Sequence, residues 1–224
     1  MFKEKVLSLG GAIVIMLICI LATYFITNSV INSGEQLILP TMPPIQTQKP
    51  TQFNDNDLFM YACIDSYDVQ KDEIKELPII NTPTTMIAFS DKGTVLCYSL
   101  DEIKSKKPTD KRMLLGLLGL APDTEITSVN VFTASNEHIF RPAFSTDCSI
   151  SNMSSAQQDL TNDQKDFILS LMYDAYNKKI AYTRLGYTYN YLGDSAYGVA
   201  QYATNIDLAT DKKSMSLDEF LNKL

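Results

Sequence analysis

The sequence predicts an α+β domain held to a membrane by one hydrophobic helix. Three observations carry that prediction. An uncharged apolar run fills residues 6–26, two β-rich stretches at 84–90 and 94–99 flank a short Gly-containing turn, and an amphipathic helical repeat occupies residues 161–178. Strands and helices do not alternate regularly, which speaks against a parallel α/β sheet.

The apolar run comes first. It has 21 residues and no charge. A helix of that length spans roughly 30 Å, the thickness of the hydrocarbon core. A helix also pairs its own backbone groups, as lipid requires. Lys3 and Lys5 precede the run. The positive-inside rule therefore keeps residues 1–5 in the cytoplasm and sends the rest across. A cleaved signal peptide has a shorter hydrophobic core and a small-x-small site after it. Here the core is longer and the following residues offer only indifferent sites, so a retained anchor is the better reading. Cys19 follows Ile18 rather than a small residue and lies within the run, which speaks against a lipoprotein. It reads as a buried apolar side chain.

Residues 27–56 read as a spacer. Pro40, Pro43, Pro44 and Pro50 stand among Thr and Gln, a composition that favours extended backbone over helix or strand. Pro40 and Pro43 have the bare Pro-x-x-Pro spacing, a weak recognition signal. Leu37 and Leu39 are candidates to pack back on the body.

The body is expected over residues 57–208, with a tail at 209–224 ending in a short helix. Leu58 to Ala62 forms a short apolar stretch. Residues 84–90 and 94–99 are rich in β-branched and aromatic residues, and Asp91, Lys92 and Gly93 between them predict a hairpin. Residues 100–110 are charged and contain Pro108. Asp110 is placed to cap a helix through Leu120, which Pro122 would end. Residues 125–134 alternate imperfectly as a strand, with Ile126, Val129, Val131 and Phe132 as apolar members. Thr161 and Gln164 have capping-box spacing. After them Phe167, Ile168, Leu171, Met172 and Ala175 define one buried face. Ser216 and Glu219 repeat the capping spacing in the tail.

The most distinctive segment is 180–192. As one strand it would place Leu185, Tyr187, Tyr189 and Tyr191 on one face, and Tyr182, Arg184, Gly186, Thr188 and Asn190 on the other. Residues 197–202 would return antiparallel to it. Tyr182, Arg184, Tyr187, Tyr189, Asn190 and Tyr191 are the candidate ligand-binding residues, because Tyr rings with Arg and Asn can stack on sugars or hold a peptide. The competing expectation is a sheet packed against the 161–178 helix, stabilised by cross-strand aromatic pairs without any ligand. Arg141, Pro142 and Phe144 form a second candidate rim.

Composition restricts the chemistry. The chain has 224 residues, 45% of them hydrophobic, enough for one packed domain. Its net charge is -7. Beyond residue 26 there are 17 Lys and Arg against 25 Asp and Glu. An acidic body is poorly suited to a nucleic-acid backbone. His138 is the one histidine, and no Cys-x-x-Cys, calcium loop, phosphate loop or nucleophile elbow is present, so no metal, cofactor or catalytic residue is predicted. His138, lying in a turn before a short strand, reads as a surface residue. Outside the membrane, two of Cys63, Cys97 and Cys148 are expected to pair as a disulfide. Three pairings are open.

The expected protein is therefore a single-pass membrane protein with an extracytoplasmic domain. It binds a protein or the cell wall as a component of the envelope. The alternative is a membrane-tethered hydrolase with a site of acids and Tyr. Two acids with shifted pKa values in a deep cleft would favour the enzyme, and an exposed apolar patch would favour binding.

Overall fold

A computed structural model describes residues 54–68, 76–143, 145–149, 151 and 160–224. The expected membrane helix at 6–26, nearly all of the spacer and the Phe144 side chain lie outside those residues. Among the described residues, no helix is long and apolar enough to cross a membrane.

The body is α+β, as its hairpins and amphipathic helices imply. In chain order it comprises α1 (Asp55–Asp68), β1 (Thr84–Ala88), β2 (Thr94–Ser99), α2 (Leu100–Lys106), α3 (Lys111–Leu118), β3 (Val129–Ala134) and β4 (Ile139–Phe140). Then come α4 (Asn162–Tyr176), β5 (Tyr187–Tyr189), β6 (Tyr197–Ala200), β7 (Tyr202–Asn205), a 3-10 turn (Ile206–Leu208), β8 (Thr210–Met215) and α5 (Leu217–Leu221). Six strands form one antiparallel sheet in the order β4-β7-β2-β1-β3-β8, and β5 pairs with β6 in a second sheet.

The predicted hairpin is β1–β2, with Met86 opposite Ser99 and Ile87 opposite Tyr98. Both faces of the main sheet are covered. Met86, Ala88, Val95, Cys97, Phe132 and Tyr202 enter one apolar cluster. Ile87, Tyr98 and Val129 enter another, with Ile103 of α2, Leu114, Leu117 and Leu118 of α3, and Phe220 of α5. Burial on both sides explains the imperfect alternation before Ala134. Val129 and Phe132 face opposite ways, and each finds a core.

Two helices form where no element was predicted. The charged stretch after Ser99 is α2. Ser99 caps it by accepting from Glu102 N at 3.4 Å, and Lys107 ends it at φ 49°. Most of its charges are exposed, Glu102 turns toward β6, and Ile103 is the side chain it buries. The apolar stretch at Leu58 is part of the 14-residue α1. Phe59, Ala62, Cys63 and Ser66 make its buried side at helical spacing. The helix therefore begins inside the expected spacer, where Asn54 Oδ1 accepts from Asp57 N at 3.1 Å.

The helix after Asp110 forms as expected, with Asp110 accepting from Met113 N at 2.8 Å. Its end differs. Gly119 at φ 66° stops it, three residues before Pro122. A Cβ there would sit 2.9 Å from Tyr189 O, so the site needs glycine for both reasons. Helix α4 carries the full predicted capping box: Thr161 Oγ1 accepts from Gln164 N, and Gln164 Oε1 accepts from Thr161 N.

The tail belongs to the body. Strand β8 pairs with β3, and Phe220 is buried in the second cluster. Ser216 caps α5 by accepting from Glu219 N at 3.2 Å. Strand β8 is one edge of the sheet and β4 the other. Exposed Lys212 and Lys213, a register shift and Asp211 at φ 52° suit β8 poorly for pairing with another chain.

Candidate functional site

The Tyr-rich segment is not one strand. Arg184 at φ 63° and Gly186 at φ 78° fold it back on itself, and Tyr182 bridges to Thr188. The two-faced arrangement expected across 180–192 therefore fails, because the alternation of faces does not run through that turn. The return partner does form, with Tyr187 opposite Ala200 and Tyr189 opposite Tyr197.

The structure places four of the six predicted binding residues inside the protein. Tyr182, Tyr187, Tyr189 and Tyr191 are all buried. Tyr182 donates to Pro142 O. Tyr189 donates to Asp65 at 2.5 Å, tying β5 to α1, and Tyr191 donates to Leu120 O at 3.0 Å. Tyr187 packs on Tyr197 with ring centroids 5.4 Å apart. Arg184 occupies the tight turn. Asn190 accepts from Leu192 N and Gly193 N and so shapes the loop before β6. The four rings pack mainly within the protein, and Tyr189, Asn190 and Tyr191 also line part of a surface cleft.

What the segment does locally is cap α3. A helix ends with carbonyls that lack intrahelical partners. Thr188 Oγ1 donates to Leu117 O at 2.7 Å, Tyr191 N to Gly116 O at 3.3 Å and Ala181 N to Gly119 O at 2.7 Å. Burial raises the Tyr182, Tyr189 and Tyr191 hydroxyls well above their ordinary range, and for Tyr189 the Asp65 carboxylate adds to it. These hydroxyls are neutral donors, and none is poised as a base.

Three shallow clefts surround the loop at 190–196. One of about 170 Å³ is lined by Leu58, Tyr61, Tyr189, Asn190, Tyr191 and Asp194. Neighbours of about 310 and 250 Å³ share Arg112. A site that encloses a small ligand usually measures ~300–1,000 Å³ and buries most of it. A cleft of about 470 Å³ lies at the end of α4, between Leu120, Leu171, Asp174, Lys178 and Ile180.

Two carboxylates among the described residues are held in the ionised form. Asp55 is held below its ordinary value by a charge-assisted hydrogen bond from Arg112 at 2.6 Å. Asp147 is lowered by hydrogen bonds from Ser149. Both shifts favour the ionised carboxylate, the reverse of a general acid. His138 is exposed in its turn, and its carbonyl accepts from Thr204 Oγ1 at 3.0 Å. No group of three metal-ligating side chains exists among the described residues. Arg141, from the second candidate rim, is buried. It donates to Pro78 O at 2.7 Å and lies over the Tyr202 ring, 5.7 Å from its centroid.

An exposed apolar feature that the sequence did not single out lies on α4. Its inner side buries Leu171 and Ala175. Its outer side exposes Leu169, Met172, Tyr173 and Tyr176 at 60, 40, 66 and 76%. Those residues stand at i, i+3, i+4 and i+7 and make one continuous apolar stripe. Met172 was expected inside, and it is part of this stripe instead. The available signal was excess: α4 has more large apolar residues than one buried face can use.

Comparison with known proteins yields no match to a family model, to a curated protein or to a solved structure.

Proposed function

We propose that this chain is a single-pass membrane-tethered component of the cell envelope, whose extracytoplasmic domain binds a protein partner through α4. The stripe of Leu169, Met172, Tyr173 and Tyr176 carries the reading. Exposed aromatic and methionine side chains in one patch are the composition of interface centres. An acidic body disfavours an anionic wall polymer as the ligand. The apolar run at residues 6–26 and the Pro-rich spacer supply a tether of matching design.

The test is photocrosslinking in native membranes, with the double variant Leu169→Asp, Tyr173→Asp compared to the parent chain. Surface changes of this kind move stability by about 0.5 kcal/mol or less. The variant is therefore expected to keep its Tm within about 2 °C while losing the captured protein. Undiminished capture, or capture of wall polymer alone, would sink the reading.

Orientation has its own test. The native thiols at Cys63, Cys97 and Cys148 are buried, so Tyr176→Cys provides an exposed one. In intact cells a membrane-impermeant maleimide is expected to label that variant and leave the parent unlabelled. Labelling only after lysis would place the domain on the cytoplasmic side.

A further inference from the structure

The three described cysteines divide unequally. Cys63 lies on α1 in the cluster with Phe59, Ala181 and Tyr191. Cys97 and Cys148 lie together in the cluster on one face of the main sheet, and all three cysteines are free thiols in this structure. Strand register explains the meeting. Cys97 stands opposite Tyr202, and Val95 opposite Thr204, which in turn faces Ile139 on β4. Alternate residues share a face, so Cys97, Tyr202 and Ile139 all point to the same side. The turn at 145–149 folds over that side. Cys148 Sγ comes within 3.8 Å of Ile139 O, and Cys148 O accepts from Ile80 N at 2.8 Å.

We propose that Cys97 and Cys148 are the disulfide pair of this domain and that Cys63 remains a thiol. The bond would staple the 145–149 turn to β2, near the middle of the sheet. It forms by thiol–disulfide exchange. One cysteine thiolate attacks a disulfide-bearing oxidant, and the second then displaces it. Two protons and two electrons leave the cysteines, and the oxidant departs as two thiols. The step belongs to folding. In the closed structure burial pushes Cys148 up to about 11 and Cys97 higher still, so little thiolate is available. Formation in cells rests on the extracytoplasmic reading above, whereas the choice of pair does not.

The experiment separates the two. The full chain in detergent is reduced, denatured and refolded in a glutathione redox buffer, then alkylated in denaturant and mapped by mass spectrometry. The expected product links Cys97 to Cys148 and carries the alkyl group on Cys63. The Cys63→Ser chain is expected to give the same link, and reduction of the bond to lower Tm by about 10 °C. A link through Cys63, or alkylation of all three, overturns the pairing. Chain trapped by alkylation directly from cells reads the compartment. A link in buffer with free thiols in cells would keep the pairing and remove the extracytoplasmic location.

Discussion

Raising the pH above about 10 is expected to unfold the domain in one steep step, complete between about pH 11 and 12. Six tyrosines, Tyr98, Tyr182, Tyr189, Tyr191, Tyr197 and Tyr202, are raised from the ordinary value of 10.0, in every case chiefly by burial. For Tyr197 the Glu102 carboxylate, which accepts its hydroxyl at 2.7 Å, adds to the effect. The sign follows from which state holds the protons. Above pH 10 the unfolded chain releases them and the native state keeps them, so stability falls as pH rises. Below 10 the contribution is fully present. Each tyrosine contributes a slope of about 1.4 kcal/mol per pH unit, and six together about 8. A domain stable by ~5–15 kcal/mol loses that within one to two units. The part of the 295 nm absorbance that belongs to these six of the chain's 12 tyrosines should appear only together with the loss of far-UV circular dichroism. Ionisation of all the tyrosines before the loss of secondary structure would refute the burial of these rings.

That same burial is what single-segment reading could not reach. The hairpin at β1–β2 and the capping box of α4 are local devices, and their signals lie within a few residues. The 180–192 segment obeys a distant instruction. Its Thr188, Tyr191 and Ala181 take positions set by the carbonyls at the end of α3, some seventy residues earlier. A period-two pattern was there to be read. The turn at Arg184 and Gly186 that breaks it has no strong local signature, since Arg seldom adopts positive φ. Likewise the charged stretch that forms α2 was given no element, because what holds it, the burial of Ile103, is tertiary. Of the α4 stripe, Met172 was assigned to the core, and Leu169, Tyr173 and Tyr176 were not assigned to either face. Periodicity tells which residues share a face, while the neighbours in space decide which face is covered. Glu102 shows the same dependence from the other side. Its carboxylate accepts from Tyr197 Oη and Ala200 N, joining α2 to β6.

Replacing Gly198 by Ala is expected to cost about 3–5 kcal/mol, a large part of the stability of a domain this size. Strand β6 crosses the end of α3 at this glycine. An added Cβ would fall well inside contact distance of Leu117 O and Thr188 Oγ1, and 3.1 Å from Thr188 O. Thr188 has no freedom to withdraw. Its hydroxyl donates to Leu117 O at 2.7 Å and accepts from Val199 N at 3.0 Å. Moving it leaves a helix carbonyl and a strand amide buried without partners. Chemical denaturation should show a lower midpoint with an unchanged m-value. The double variant Gly198→Ala, Thr188→Ala separates the two obstacles. It removes the side-chain clash but leaves the backbone oxygen of Leu117 in place and deletes both hydrogen bonds. It is therefore expected to be no more stable than the single variant. Recovery of stability would mean that the Thr188 side chain, rather than the end of α3, sets the need for glycine.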